Sequence, residues 1–168
     1  MNNLIVSNSI RFIGLVLLQV LVLNHINLFG YINPFVYIVW IFLFPIRKNL
    51  SVFLILSFLL GLSVDFFSDS GGLNAAATLF IAFIRIPILK AVLRKSDFDY
   101  LLFNLRAISI DKLFIYIATL TLIHHFIIFS FEYFSFNDFT TIISTTFFTS
   151  IFTILLSLLG ILLFVKKK

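Results

Sequence analysis

Apolar residues along the chain fall into six blocks, separated by short polar or turn-forming breaks. They cover residues 12–28, 31–46, 50–67, 73–89, 113–131 and 139–165. All but the second have the length of a helix that crosses a bilayer. The pattern predicts six transmembrane helices in a single all-α domain spanning residues 1–168. The second block is short and framed by prolines. Asn33 and Pro34 are placed to serve as its N-cap and first helical residue. Pro45 falls near its end, where a lost hydrogen bond costs little. The first block has no small-residue cleavage site after its apolar run, where Asn24, His25 and Asn27 stand instead. It is expected to be a retained anchor.

The charges lie between the blocks and alternate. Arg11 precedes the first block, and Arg47 and Lys48 lie between the second and third. Lys90, Arg94, Lys95, Arg106 and Lys112 lie between the fourth and fifth, and Lys166, Lys167 and Lys168 follow the sixth. The other connections carry no Lys or Arg and hold Asp65, Asp69, Glu132 and Asp138. Basic residues stay on the cytoplasmic side of membrane proteins, so both termini are expected inside and the acidic turns outside. Arg85, inside the fourth block, is expected to snorkel to the nearby headgroups rather than to sense voltage or substrate.

Composition removes the soluble alternatives. Apolar residues make up 61% of the 168, charged residues 11%, and mean hydropathy is +1.16. A soluble domain carries about 25% charged residues. A soluble enzyme, a disordered chain and a nucleic-acid-binding domain are excluded on that ground. The net charge of +5 is therefore topological, and the absence of cysteine excludes disulfides and thiolate metal sites.

Polar positions inside the blocks suggest packing. Thr146, Thr149, Ser150, Thr153, Ser157 and Gly160 share one face of the sixth block. Small and hydroxylated residues let helices approach closely in lipid, so this stripe is read as internal packing before a subunit interface. Ser57 and Gly61 repeat the small-residue step in the third block, and Ala75, Ala76 and Ala77 open the fourth. In the connection 90–112, Phe98, Leu101, Leu102, Leu105 and Ile108 recur at helical spacing. Two readings stand for it: a helix lying on the inner surface, or a docking helix for a cytoplasmic partner.

Candidate chemistry is sparse. Gly61, Asp65 and Asp69 imitate half of the CDP-alcohol phosphotransferase signature, but Arg47, Lys48, Ser51 and Val52 stand where its other half belongs. Asp97-Phe98-Asp99 resembles a metal-binding DxD, and solvated loop charge explains it better. Adjacent His124 and His125 point about 100° apart on a helix, so interhelical hydrogen bonds are expected rather than one shared metal. No cofactor is called for. The turn between the third and fourth blocks stands out. Gly71 and Gly72 permit a sharp reversal, Asn74 can cap the following helix, and Asp65 sits at an unfavourable helix C-terminus. Its carboxylate there implies either a partner donor or exposure to water.

Gly61-Leu-Ser-Val-Asp65, Ser68, Gly72-Leu73-Asn74-Ala75 and a fourth span ending in Arg85 and basic residues resemble the rod shape-determining MreD family. Size, spans and the lysine-ended tail are similar along essentially the whole chain, while Asp69-Ser70-Gly71 is more acidic than the family pattern. The resemblance implies a non-enzymatic scaffold of the elongation machinery in a bacterial inner membrane. Its expected direct partner is the bitopic MreC, within a complex holding MreB, RodA and its transpeptidase. The implied fold is similar to substrate-binding subunits of energy-coupling-factor transporters. Gly61, Asp65, Gly72 and Asn74 become candidates for contact with a partner or pocket. The alternative is a solute-binding transporter subunit, with a midplane pocket drawn from Gln19, Asn24, His25, His124 and His125.

Overall fold

The structure, a computed structural model, describes residues 2–30, 32–46, 50–94, 108–133 and 139–164. It is helical: α1 (Asn2–Leu21), α2 (Val39–Leu43), α3 (Ser51–Ser68), α4 (Leu73–Leu93), α5 (Ile110–Tyr133) and α6 (Phe139–Phe164). Five of these, all except α2, are long and apolar enough to cross a membrane. Within the connection 90–112, residues 90–93 extend α4 and 110–112 open α5. The apolar repeat at 98–105 and the Asp97-Phe98-Asp99 triplet lie outside the described residues.

The chain packs by sequence neighbours. α3 lies on α4, α4 on α5 and α5 on α6, while α1 is the least buried of the long helices. The predicted first block differs in register. α1 stops at Leu21, and a 3-10 turn over Leu23–His25 follows. Asn27, Phe29 and Gly30 then take positive φ, which ends any continuation of the helix.

The α3–α4 crossing is the tightest. Ser57 is fully buried, and Gly61 faces the first turn of α4. A Cβ at Gly61 would collide with Thr78 Oγ1, the Asn74 carbonyl oxygen and Ala75 Cα. The small-residue step therefore sets the approach of the two backbones. The α6 stripe also faces inward, with Thr146, Thr149, Ser150, Thr153 and Ser157 all buried.

The predicted second span is not a continuous helix. Asn33 does not cap it; its side chain instead pairs with Asn27, through Nδ2 to Asn27 Oδ1 at 3.0 Å and from Asn27 N–H at 2.8 Å. Pro34 is not the first helical residue either. Helical turns begin with a 3-10 turn at Val36–Ile38 and continue as the five-residue α2. Phe44 is extended with ψ 135°, the conformation that Pro45 imposes on the residue before it. The segment nevertheless occupies the centre of the bundle. Tyr37, Ile38, Ile41 and Phe42 are completely buried, and Trp40 nearly so.

A broken helix buried among apolar neighbours exposes backbone groups that must find partners. Side chains from three long helices provide them. Gln19 of α1 donates to the Pro34 carbonyl at 2.9 Å and accepts the Tyr37 N–H at 3.4 Å. Thr153 of α6 accepts the Phe35 N–H at 3.0 Å. Arg85 of α4 donates from Nη2 to the carbonyls of Phe42 at 3.0 Å and Phe44 at 2.7 Å. Its Nε reaches the Tyr116 hydroxyl at 2.9 Å, and the guanidinium lies 5.1 Å from the Phe53 ring centroid.

Arg85 is only 2% exposed, which overturns the expectation that it snorkels to the surface. A fixed cation satisfies the carbonyl-rich C-terminus of a short helix, where the backbone dipole is negative.

Two expected outcomes follow from this packing. Arg85→Leu strands two buried carbonyls and a hydroxyl, and should lower unfolding free energy in detergent by about 3 kcal/mol. Arg85→Lys should recover part of that loss. Gly61→Leu should abolish a cooperative thermal transition. Gly160→Leu should leave that transition in place, since a Cβ there meets nothing within 4 Å.

Candidate functional site

The polar chemistry of the α3–α4 turn is built by backbone reversal. Asp69 ends α3 in the left-handed region with φ 52°. Gly71 (φ 63°) and Gly72 (φ 92°) continue the reversal, and Gly72 is the N-cap of α4. A glycine at the cap has no side chain to accept the first N–H groups of the helix. Asp65 supplies that acceptor from across the turn. Its Oδ1 takes the Asn74 N–H at 2.9 Å and its Oδ2 takes the Ala75 N–H at 2.7 Å. Ser70 Oγ at 2.6 Å and Asn74 Nδ2 at 3.0 Å complete the set.

Asp65 is therefore 6% exposed and serves α4 as a cap donated by the neighbouring helix. Its charge, unfavourable at the end of α3, is favourable at the start of α4. Asn74 lies inside the first turn and does not occupy the cap position. Its amide is oriented by Asp65, which fixes its oxygen toward Tyr37.

From this turn a hydrogen-bonded chain enters the bundle. The Tyr37 hydroxyl donates to Asn74 Oδ1 at 2.8 Å. Its single proton is then used, so the 3.0 Å contact with His124 makes His124 Nε2 the donor. His124 Nδ1 is left as a lone pair with no hydrogen-bond partner among the described residues, although the residue is fully buried. His125 carries the opposite tautomer. Its Nδ1 lies 2.8 Å from the Thr121 carbonyl, which can only accept. Its Nε2 therefore accepts from Thr153 Oγ1 at 3.0 Å. Both histidines thus bond to other elements, as expected for interhelical contacts.

The residues proposed for a midplane pocket separate. Gln19 is buried and spent on the broken helix, and its Nε2 also donates to Asn24 Oδ1 at 2.8 Å. Asn24 in turn donates to Ser68 Oγ at 2.8 Å. Asn24 and His25 line a cavity of about 850 Å³ beside the α3–α4 turn, together with Asn33, Asp69, Asn74 and Glu132. Gln19, His124 and His125 do not line it. Of the four turn candidates, Asn74 reaches this cavity, while Gly61 is buried in the α3–α4 crossing.

A second concavity differs in kind. A groove of about 920 Å³ runs between α1, α2 and α6. Leu15, Leu18, Val39 and Leu156 are among its walls, with Gly14 and Gly160 also lining it. Ser7 and Arg11 are its polar lining residues. In the α6 stripe, Thr153 is the member bonded to the broken helix. Thr146, Thr149, Ser150 and Ser157 have buried hydroxyl oxygens with no partner among the described residues. Sequence reading does not single out Tyr37. Its signal is a phenol well inside an apolar block, and its importance depends on a helix break that composition conceals.

Comparison with protein-family models, with curated proteins and with solved structures gave no match to the chain.

Proposed function

We propose that this chain is a non-catalytic membrane scaffold of the MreD type. In this reading it lies in a bacterial inner membrane and crosses it six times, with both termini cytoplasmic. Residues 32–46 make the second crossing as a broken helix. It binds the single transmembrane helix of a bitopic MreC-like partner and helps position wall synthesis by a larger complex containing MreB, RodA and its transpeptidase.

The observation that carries the reading is the apolar groove between α1, α2 and α6. Its glycine-bearing walls suit close approach of one more helix, because small residues favour helix–helix contact in lipid. The polar residues best suited to chemistry support the same view. Asp65, Asn74, Tyr37 and Arg85 are engaged in holding the turn and the broken helix. At the turn itself, Phe66 and Phe67 project outward beside the buried Asp65. They give a partner an aromatic surface whose shape Asp65 and Gly72 maintain.

The groove gives the decisive test. Gly14→Leu with Gly160→Leu directs two side chains into it from positions where a Cβ meets nothing within 4 Å. The double variant should purify at the parental level yet recover about tenfold less MreC, a loss of about 1.4 kcal/mol. Undiminished MreC recovery would remove the groove from the binding surface.

Orientation is tested by single cysteines. Those replacing Gly72 and Asn137 should label from outside the cell, and those replacing Ser96 and Lys168 should not.

A further inference from the structure

The cavity beside the α3–α4 turn carries carboxylates that the scaffold reading does not use. Two of its lining residues are carboxylates from different elements: Asp69 at the end of α3 and Glu132 near the end of α5. Both are exposed, and neither carboxylate has a hydrogen-bond or ion-pair partner among the described residues, Asp69 bonding only through its backbone N–H to the Asp65 carbonyl. No Lys or Arg lines the cavity among the described residues. Its remaining wall is partly aromatic, with Phe35, Phe67 and Phe131 contributing. Asn33 and Asn24 also line the cavity, with their amides already bonded to Asn27, Gln19 and Ser68.

Carboxylates and aromatic faces attract the same kind of ligand. Ring faces carry negative quadrupole density that attracts alkylammonium groups, quaternary ones included. Carboxylates supply the net charge that attracts a cation. A volume near 850 Å³ lies within the range of small-molecule sites, about 300–1,000 Å³. An anionic ligand has no described cation there to meet it.

We propose that this cavity binds a small organic cation of the alkylammonium class. Asp69 and Glu132 provide charge, and Phe35, Phe67 and Phe131 provide the aromatic wall. The proposal goes beyond the scaffold reading and shares only Phe67 with its partner surface; the residues varied here, Asp69 and Glu132, lie outside the groove, so loss of MreC recovery and loss of cation binding are separate results. Asp65 takes no part, because its oxygens are occupied by α4 and Ser70. His25 also lines the cavity.

The probe is choline, with 3,3-dimethyl-1-butanol as its uncharged isostere. Binding is measured by calorimetry on the full chain in nanodiscs of phosphatidylglycerol, which carry no amine headgroups. Choline should bind, and the isostere should bind at least about tenfold more weakly, the scale of an exposed-to-partly-desolvated cation–aromatic contact. Asp69→Asn with Glu132→Gln should weaken choline by a similar factor without moving the melting temperature. Replacing the lipid by phosphatidylethanolamine separates the sources of the ligand. Retained choline affinity identifies a free solute, and competition identifies a lipid headgroup carrying the same ammonium chemistry. Absence of choline binding, or equal binding of the neutral isostere, would overturn the proposal. The isostere comparison uses the parental chain and remains decisive if the double variant fails to fold.

Discussion

Backbone amides in an apolar bundle cannot be left to water, and the segment 32–46 has more of them unpaired than a continuous helix would. Gln19, Thr153 and Arg85 meet that demand from α1, α6 and α4. Each bond joins a long helix to the broken segment at 2.9–3.0 Å, so each also fixes that helix relative to the centre. α1, otherwise the most loosely held of the long helices, is tied in through Gln19 and through Asn8, whose carbonyl accepts the Trp40 indole N–H at 3.0 Å. The thin packing of α1 and the groove beside it are compatible with a stable bundle because these polar ties carry the connection.

The two halves of the polar interior use charge in complementary ways. At the start of α4, Asp65 neutralises the positive end of a helix dipole. Twelve residues further on, at Arg85, the same helix presents a cation to the negative end of α2. α4 is therefore both recipient and supplier of a helix cap. Between these points Tyr37 connects the broken helix to the turn through Asn74. A disturbance at the turn thus reaches the core through one amide whose orientation Asp65 sets.

Long apolar blocks and their polar breaks made α3, α4, α5 and α6 legible to within a few residues, because length and hydropathy dominate where a helix is continuous. The inward stripe of α6 was legible for the same reason: its spacing is periodic. The second block misled because its apolar content is that of a span, whereas Pro34, Pro45 and the Asn27–Asn33 pair control its backbone locally. Arg85 misled because snorkelling is judged from depth alone, and its real partners are carbonyls that exist only once the second helix is broken. Asp65 could be recognised as anomalous at the end of α3. Its role as a cap depends on the reversal at Asp69, Gly71 and Gly72, which brings a different helix onto it.

The order of synthesis gives the broken helix a further consequence. Gln19 has already been made when residues 32–46 emerge, but Arg85 and Thr153 have not. Until α4 arrives, the Phe42 and Phe44 carbonyls lack the guanidinium that satisfies them, and until α6 arrives the Phe35 amide lacks its hydroxyl. A segment in that state is better held at an aqueous vestibule or by the insertion machinery than released into lipid. The interior of this bundle is consequently closed last by its own C-terminal half, and truncated nascent chains would present the insertion machinery with an open seam.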